Sequence, residues 1–285
     1  VYDNADFSSL EQVFGQWLDA LGEPPPEVCC LAVAAPPSED QVVMFNLDWS
    51  FSCKAMAKRF GFRHILRLND FEATAYALPH LARDDRVELH RGKGGNYGRL
   101  ATVGPGTGLG GAFLDRSTGV PRSFACEPGH IGLAPGDELE LEIFRILLAH
   151  HTNVYAELLV SGPGLVRLHR VLGEITGRRA EKLAPADISS RAANGEDGLC
   201  VLALDTFCAL LGSVCGDFLL ANGSYGGLYL AGGIAPQLIS YLSGSTFHQR
   251  LVSKGAMGDI LDAVPVNVIT TDQPGLVGAA HAPLG

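Results

Sequence analysis

A chain of 285 residues with 47% hydrophobic content can bury one large core or two smaller ones. Its formal net charge of −10, with no run of Lys and Arg to offset it, excludes a nucleic acid or an anionic membrane surface as the expected partner. No apolar stretch reads as long enough to span a membrane, and residues 1–10 carry acids where a signal peptide carries basic and apolar regions, so a cytoplasmic location is expected.

In chain order, residues 28–35 read as a buried strand ended by Pro36-Pro37, 41–45 as its neighbour, and 52–60 as a short amphipathic helix. The strand 64–68 delivers Asn69-Asp70 to its carboxyl end, and a helix over 71–81 follows with Asp70 in the cap position. The charged, glycine-rich stretch 83–99 is a break. Next, residues 101–114 form a strand, a turn and a second strand, with five glycines between Gly104 and Gly111. Helices are expected at 137–150, 165–174 and 185–193, and a long one at 196–221 whose Leu, Val, Ala and Cys residues cover most of its circumference, as in a central buried helix. A strand over 227–231 stops at Gly232-Gly233, a helix starts at Pro236, the last strand is 264–269, a turn spans 271–274, and a helix over 274–280 closes the chain. The alternation makes an α/β protein without a tandem repeat. The seven cysteines include Cys29-Cys30 on opposite faces of a strand, and none forms a C-x-x-C pair, so reduced, buried thiols are expected.

The glycine hairpin suggests a phosphate site, because stacked glycines let successive backbone N–H groups converge on an anion. Gly106-Thr-Gly-Leu-Gly-Gly111 also fits the G-x-G-x-x-G of a dinucleotide fold, with Glu127 as the distant ribose acid, but Gly119 and Pro121 follow too soon for the helix that fold requires. No G-x-x-x-x-G-K-[ST] is present. Taken singly, Asp70 reads better as a helix cap, and Glu127, His130 and Glu157 better as turn chemistry or surface charges. Together they offer the acceptors and the switchable donor that suit the hydroxyls of a sugar.

The chain resembles the bacterial glucokinases of the hexokinase and actin-like ATPase superfamily. The resemblance rests on Leu68-Asn-Asp-Phe71, Gly104-Pro-Gly-Thr-Gly-Leu-Gly110, Glu127-Pro-Gly-His130, Glu157 with Ser161-Gly-Pro-Gly164, Leu230-Ala-Gly-Gly-Ile234 and Asp272-Gln-Pro-Gly-Leu-Val-Gly278, in the family's order over nearly the whole chain. The cysteine-rich zinc motif of the related repressor and kinase family is missing, since the first cysteine after Cys126 is Cys200, so no protein-held metal is expected.

The resemblance implies a two-lobe actin-like (ribonuclease H-like) α/β fold: a small lobe of residues 1–80 completed by 271–285, and a larger one of 81–270. It implies ATP-dependent phosphorylation of glucose, with Asp70 as general base and Asn69, Asp70, Glu127, His130 and Glu157 on the sugar. Gly104, Gly106, Thr107 and Gly108 would cradle ATP phosphates, Gly232 and Gly233 would admit the adenosine, Mg2+ would bridge the phosphates, and the lobes would close over the cleft of a homodimeric enzyme. The alternatives are a kinase for another hexose or an amino sugar, and a non-catalytic sugar-binding or regulatory relative. Two departures from the family pattern stand out. Pro128 replaces the glycine common at that turn, fixing φ and removing a donor. The opening Val1-Tyr-Asp-Asn matches the region just after the family's first phosphate loop, so that hairpin is expected to be absent and the strand at 28–35 to present an open edge.

Overall fold

The computed structural model describes residues 2–34, 40–44, 47–95 and 97–284. The chain divides into two compact units, Val1–His80 with Gln273–Gly285, and Leu81–Asp272.

In the first unit, helix α1 (Leu10–Leu21) starts at Ser9, whose side chain accepts from the Gln12 N–H, and ends at Gly22 in the left-handed conformation. No element was expected there. The strand β1 (Val28–Ala32) runs parallel to β4 (His64–Leu68), while β2 (Gln41–Val43) and β3 (Ser50–Ser52) make a separate antiparallel pair. The expected strand ends at Ala35, Pro36-Pro37 and Phe45 lie outside the described residues. Helix α2 (Cys53–Phe60) is capped by Ser52 and stopped by Gly61. Phe14, Val42, Phe51, Met56 and Phe62 fill the core of this half.

Helix α3 (Asp70–Ala77) leaves β4, with a 3-10 turn over Leu78–His80 replacing the last part of the expected helix. In the second unit the 83–99 stretch is not only a break, since Arg86–His90 forms strand β5. The hairpin follows as β6 (Arg99–Pro105) and β7 (Leu109–Asp115), then β8 (Arg122–Cys126). The helices α4 (Glu138–Leu148), α5 (Ala156–Leu159), α6 (Gly162–Thr176), α7 (Pro185–Ala193) and α8 (Gly198–Asn222) come next. After β9 (Leu228–Leu230) a 3-10 turn at Ala235–Leu238 leads into α9 (Ile239–Gly244), α10 (Phe247–Val252) and α11 (Gly258–Asp262), then β10 (Val266–Ile269). The chain returns to the first unit as α12 (Pro274–His281). There Gly278 packs directly on α3: a Cβ at Gly278 would stand 1.6 Å from the Ala73 carbonyl oxygen.

The six-stranded sheet has the order β5-β10-β9-β6-β7-β8. Its centre is parallel, β6 and β10 both flanking β9, so the carboxyl ends of β6 and β9 lie side by side. Binding loops collect at such strand ends. Helix α8 is long and apolar enough to cross a membrane, against the expectation that no such stretch exists. It is instead the spine of the core, with Phe207, Leu210, Leu211 and Leu219 fully or almost fully buried. Cys200, Cys208 and Cys215 are buried in it, and burial pushes the Cys208 thiol up to about 12. The expectation of buried thiols fails for the other four, Cys29, Cys30, Cys53 and Cys126, which are half-buried, Cys29, Cys53 and Cys126 at the margins of the two cores.

Candidate active site

Asn69, not Asp70, caps α3. Its Oδ1 accepts from the N–H groups of Phe71 at 2.8 Å and Glu72 at 3.4 Å, and the Glu72 carboxylate closes the box by accepting from the Asn69 N–H at 2.9 Å. The correction has a physical reason. A cap residue keeps extended backbone, as Asn69 does at φ −67° and ψ 156°, whereas Asp70 is already the first helical residue. With Oδ1 committed to the cap, Asn69 offers a ligand its amide nitrogen. Asp70 is exposed at the end of β4 and only its Oδ1 touches the helix, sharing the Phe71 N–H at 3.0 Å. This carboxylate is thus held in place by its backbone and presented to solvent.

In the second unit the glycine hairpin is zipped from Arg99↔Asp115 to Pro105↔Leu109, with Gly104 buried opposite Gly110. Across the turn, the Gly106 N–H donates to the Gly108 carbonyl at 2.7 Å, and Thr107 is exposed at the tip. The Gly106 amide is therefore spent on the turn. The candidate donors to an anion at this turn are the amides of Thr107 and Gly108 and the Thr107 hydroxyl.

The same turn is bound to two further segments. The Gly106 carbonyl accepts from Gly162 N–H at 2.8 Å, at the start of α6, whose cap Ser161 accepts from Gly164 N–H at 3.0 Å. Ala231 N–H donates to the Val103 carbonyl at 2.9 Å and Ile234 N–H to that of Pro105 at 3.4 Å. Gly232 takes φ +78°, and a Cβ there would stand 2.7 Å from the Pro105 carbonyl oxygen. Glycine is required at this position on both counts. Gly232 and Gly233 are exposed, forming an open shelf beside the turn.

Glu157 joins the hairpin to the Glu127–His130 turn. Its Oε2 accepts from the Leu109 N–H at 2.8 Å, and two glycines make room for it. A Cβ on Gly108 would lie 2.5 Å from Oε2, and one on Gly129 would lie 3.2 Å from Oε2 and 2.5 Å from the Leu109 carbonyl. The Pro128 ring packs over Gly111 in the same way, at 2.8 Å from where a Cβ would be. Glu127 and His130 are exposed on this 3-10 turn, the His130 Nδ1 lying 3.8 Å from Glu127 Oε2. The His130 ring lies parallel to that of Tyr155, centroids 5.8 Å apart. Tyr155 was not singled out from the sequence; it is the extended cap residue of the segment that enters α5, in which Glu157 lies. That segment is laced to the turn by Ala156 N–H on the Ile131 carbonyl at 3.0 Å and Leu133 N–H on that of Val154 at 2.9 Å. Three exposed or half-exposed polar side chains and the glycine turn thus share one rim of the second unit.

A family model described as Glucokinase matches residues 1–284. The chain belongs to the glucokinase family. It is 39% identical over 280 residues to the glucokinase of Saccharophagus degradans, covering 98% of this chain and 87% of that one. Among solved structures, a glucokinase from an Antarctic psychrotroph superposes with a TM-score of 0.91 at 37% identity, covering 98% of this chain and 87% of the other. A ROK family glucokinase from Streptomyces griseus, solved with glucose and AMPPNP, shares the fold at a TM-score of 0.58 and 19% identity, covering 96% of this chain and 88% of its own. The fold is the actin-like ATPase fold that the sequence motifs implied, and the chain is a kinase of that family.

Proposed function

We propose that this glucokinase-family chain phosphorylates glucose to glucose 6-phosphate at the expense of ATP, with Asp70 as general base. The observation that carries the reading is the cap exchange at α3. Because Asn69 and Glu72 cap the helix terminus, the Asp70 carboxylate keeps only a shared bond from the Phe71 N–H and stands exposed at a strand end. As the sugar's terminal oxygen attacks the γ-phosphorus, its proton passes to Asp70. One P–O bond forms to the sugar, the bond to the β-phosphate oxygen breaks, and ADP leaves.

Glu127, His130 and Glu157 hold the remaining hydroxyls, aided by the Asn69 amide nitrogen. Positioning of this kind raises the rate by fixing the attacking oxygen beforehand. Glu157 is suited to it because one carboxylate oxygen is fixed by Leu109 N–H while the group stays half-exposed. The turn amides of Thr107 and Gly108 receive phosphate oxygens, and Gly104, Gly106, Gly232 and Gly233 give the backbone clearance that a nucleotide needs. Magnesium ordinarily keeps several waters and binds through substrate phosphates. The Thr107 hydroxyl is the side-chain oxygen this turn could offer such an ion, which would supply positive charge to offset that of the phosphates. A cytoplasmic location suits a kinase that draws on ATP.

The test is ADP release coupled to formation of sugar 6-phosphate, run on purified protein with glucose, mannose, fructose and N-acetylglucosamine. Glucose-dependent turnover above the other sugars is expected. Binding of glucose without turnover, or a preference for another sugar, would replace this reading.

A further inference from the structure

The second unit holds a group of metal-ligating side chains that no step of sugar phosphorylation uses. His90 ends β5, His248 lies in α10 and Asp262 ends α11. Asp262 Oδ1 lies 3.9 Å from His90 Nε2 and 3.7 Å from His248 Nε2, and the two imidazole rings face each other with centroids 4.0 Å apart. Their ligand atoms all fall within 4.8 Å of one another. His248 Nε2 is buried and makes no hydrogen bond. A buried ring nitrogen with no partner, aimed at a carboxylate beyond hydrogen-bond range, is the arrangement a cation would complete.

Zn–N and Zn–O bonds of roughly 2.0–2.2 Å in a tetrahedral shell place neighbouring donor atoms about 3.4 Å apart. The two measured N···O gaps exceed that by a few tenths of an ångström, a contraction within the reach of side-chain rotation. The two rings, tilted by 31° to each other, would splay on binding. His90 Nε2 now lies 2.8 Å from the Asp262 carbonyl oxygen, which requires its proton on that nitrogen. Ligation moves this proton to Nδ1 through solvent, and the ion replaces it as the positive neighbour of the carbonyl.

We propose that His90, His248 and Asp262 form a binding site for a borderline divalent transition ion of the Zn2+ class, clamping the edge strand β5 to α10 and α11. Two imidazoles select such an ion over Mg2+, which prefers oxygen ligands, so the site is chemically separate from the nucleotide's metal.

The probe is Co2+ titrated into metal-stripped protein without nucleotide, followed by visible ligand-field absorption, with Zn2+ as competitor and thermal unfolding as a second readout. Saturable equimolar binding is expected, displaced by Zn2+ but not by excess Mg2+, together with a rise in Tm of a few degrees. His248→Gln should abolish the band and the Tm rise, and His90→Gln is the second variant should the first not fold by circular dichroism. Cys200→Ser should leave both signals unchanged. A second cluster, His169, Asp197 and Cys200, supplies the competing outcome. A band with thiolate-to-cobalt charge transfer, lost in Cys200→Ser and kept in His248→Gln, would overturn the proposal, as would no binding at all.

Discussion

Replacing Gly108 by alanine should uncouple Glu157 from the hairpin. Gly108 does not occupy the left-handed region, so alanine imposes no backbone strain, and the effect isolates one contact. The new Cβ would lie 2.5 Å from Glu157 Oε2, at the mobile end of a side chain, so the carboxylate gives way rather than the turn. Reaching ordinary van der Waals contact takes roughly an ångström of movement. From 2.8 Å that carries the Leu109 N–H···Oε2 bond beyond hydrogen-bond range. Leaving this amide unpaired costs about 1–3 kcal/mol. Denaturant unfolding should show that loss, and calorimetric glucose affinity should fall by roughly 5- to 150-fold if Glu157 holds the sugar. In a Glu157→Ala background the same alanine loses its three nearest contacts, all to the Glu157 carboxylate, and should cost less than about 0.5 kcal/mol. Additive costs in the double variant would refute the reasoning, as would unchanged glucose affinity in Gly108→Ala.

Gly232→Ala combines a φ of +78° with a Cβ 2.7 Å from a backbone oxygen, so it should cost about 1–3 kcal/mol and weaken ATP binding while sparing glucose binding; isothermal titration with each ligand separates the two. His169 is almost wholly buried with Nε2 unpartnered, and burial outweighs the nearby carboxylates of Asp197 and Glu181, with Arg191 adding to the depression, to hold its pKa below the ordinary value. The unfolded chain therefore binds the proton first, and stability should fall as pH drops below about 6.5. His169→Leu should flatten that acid limb of Tm against pH, whatever its effect at neutral pH; an unchanged slope would assign the loss to other groups such as His80 and His248, which are depressed as well.

Local patterns carried much of the fold. The strand His64–Leu68 and the helix Pro185–Ala193 fall where period and punctuation place them, because each is bounded by residues that cannot continue it. β5 was hidden because Arg86-Val-Glu-Leu-His90 is an edge strand without clean alternation, with Arg86 half-buried on Tyr229 and Val87 exposed, and its pairing with β10 spans most of the second unit in sequence. α1 had a legible signal, Phe14, Trp17, Leu18 and Leu21 after a Ser9 cap, but sits in a polar opening segment. Asn69 and Asp70 are both good caps, and only the backbone angles decide between them. In the candidate site, the residue types were readable but the bond from Leu109 to Glu157 was not, since it closes over 48 residues and depends on two glycines leaving space.

The central claim is that Asp70 accepts the sugar's proton. Asp70→Asn keeps the size of the side chain and leaves the Asn69–Glu72 capping box untouched, so the variant should fold and bind glucose within a few-fold of the parent. Its turnover with ATP and glucose should fall by a factor on the order of 100 or more. Glucose affinity and turnover measured side by side decide the matter: retained binding with collapsed turnover is the predicted result, and turnover equal to that of the parent would contradict it.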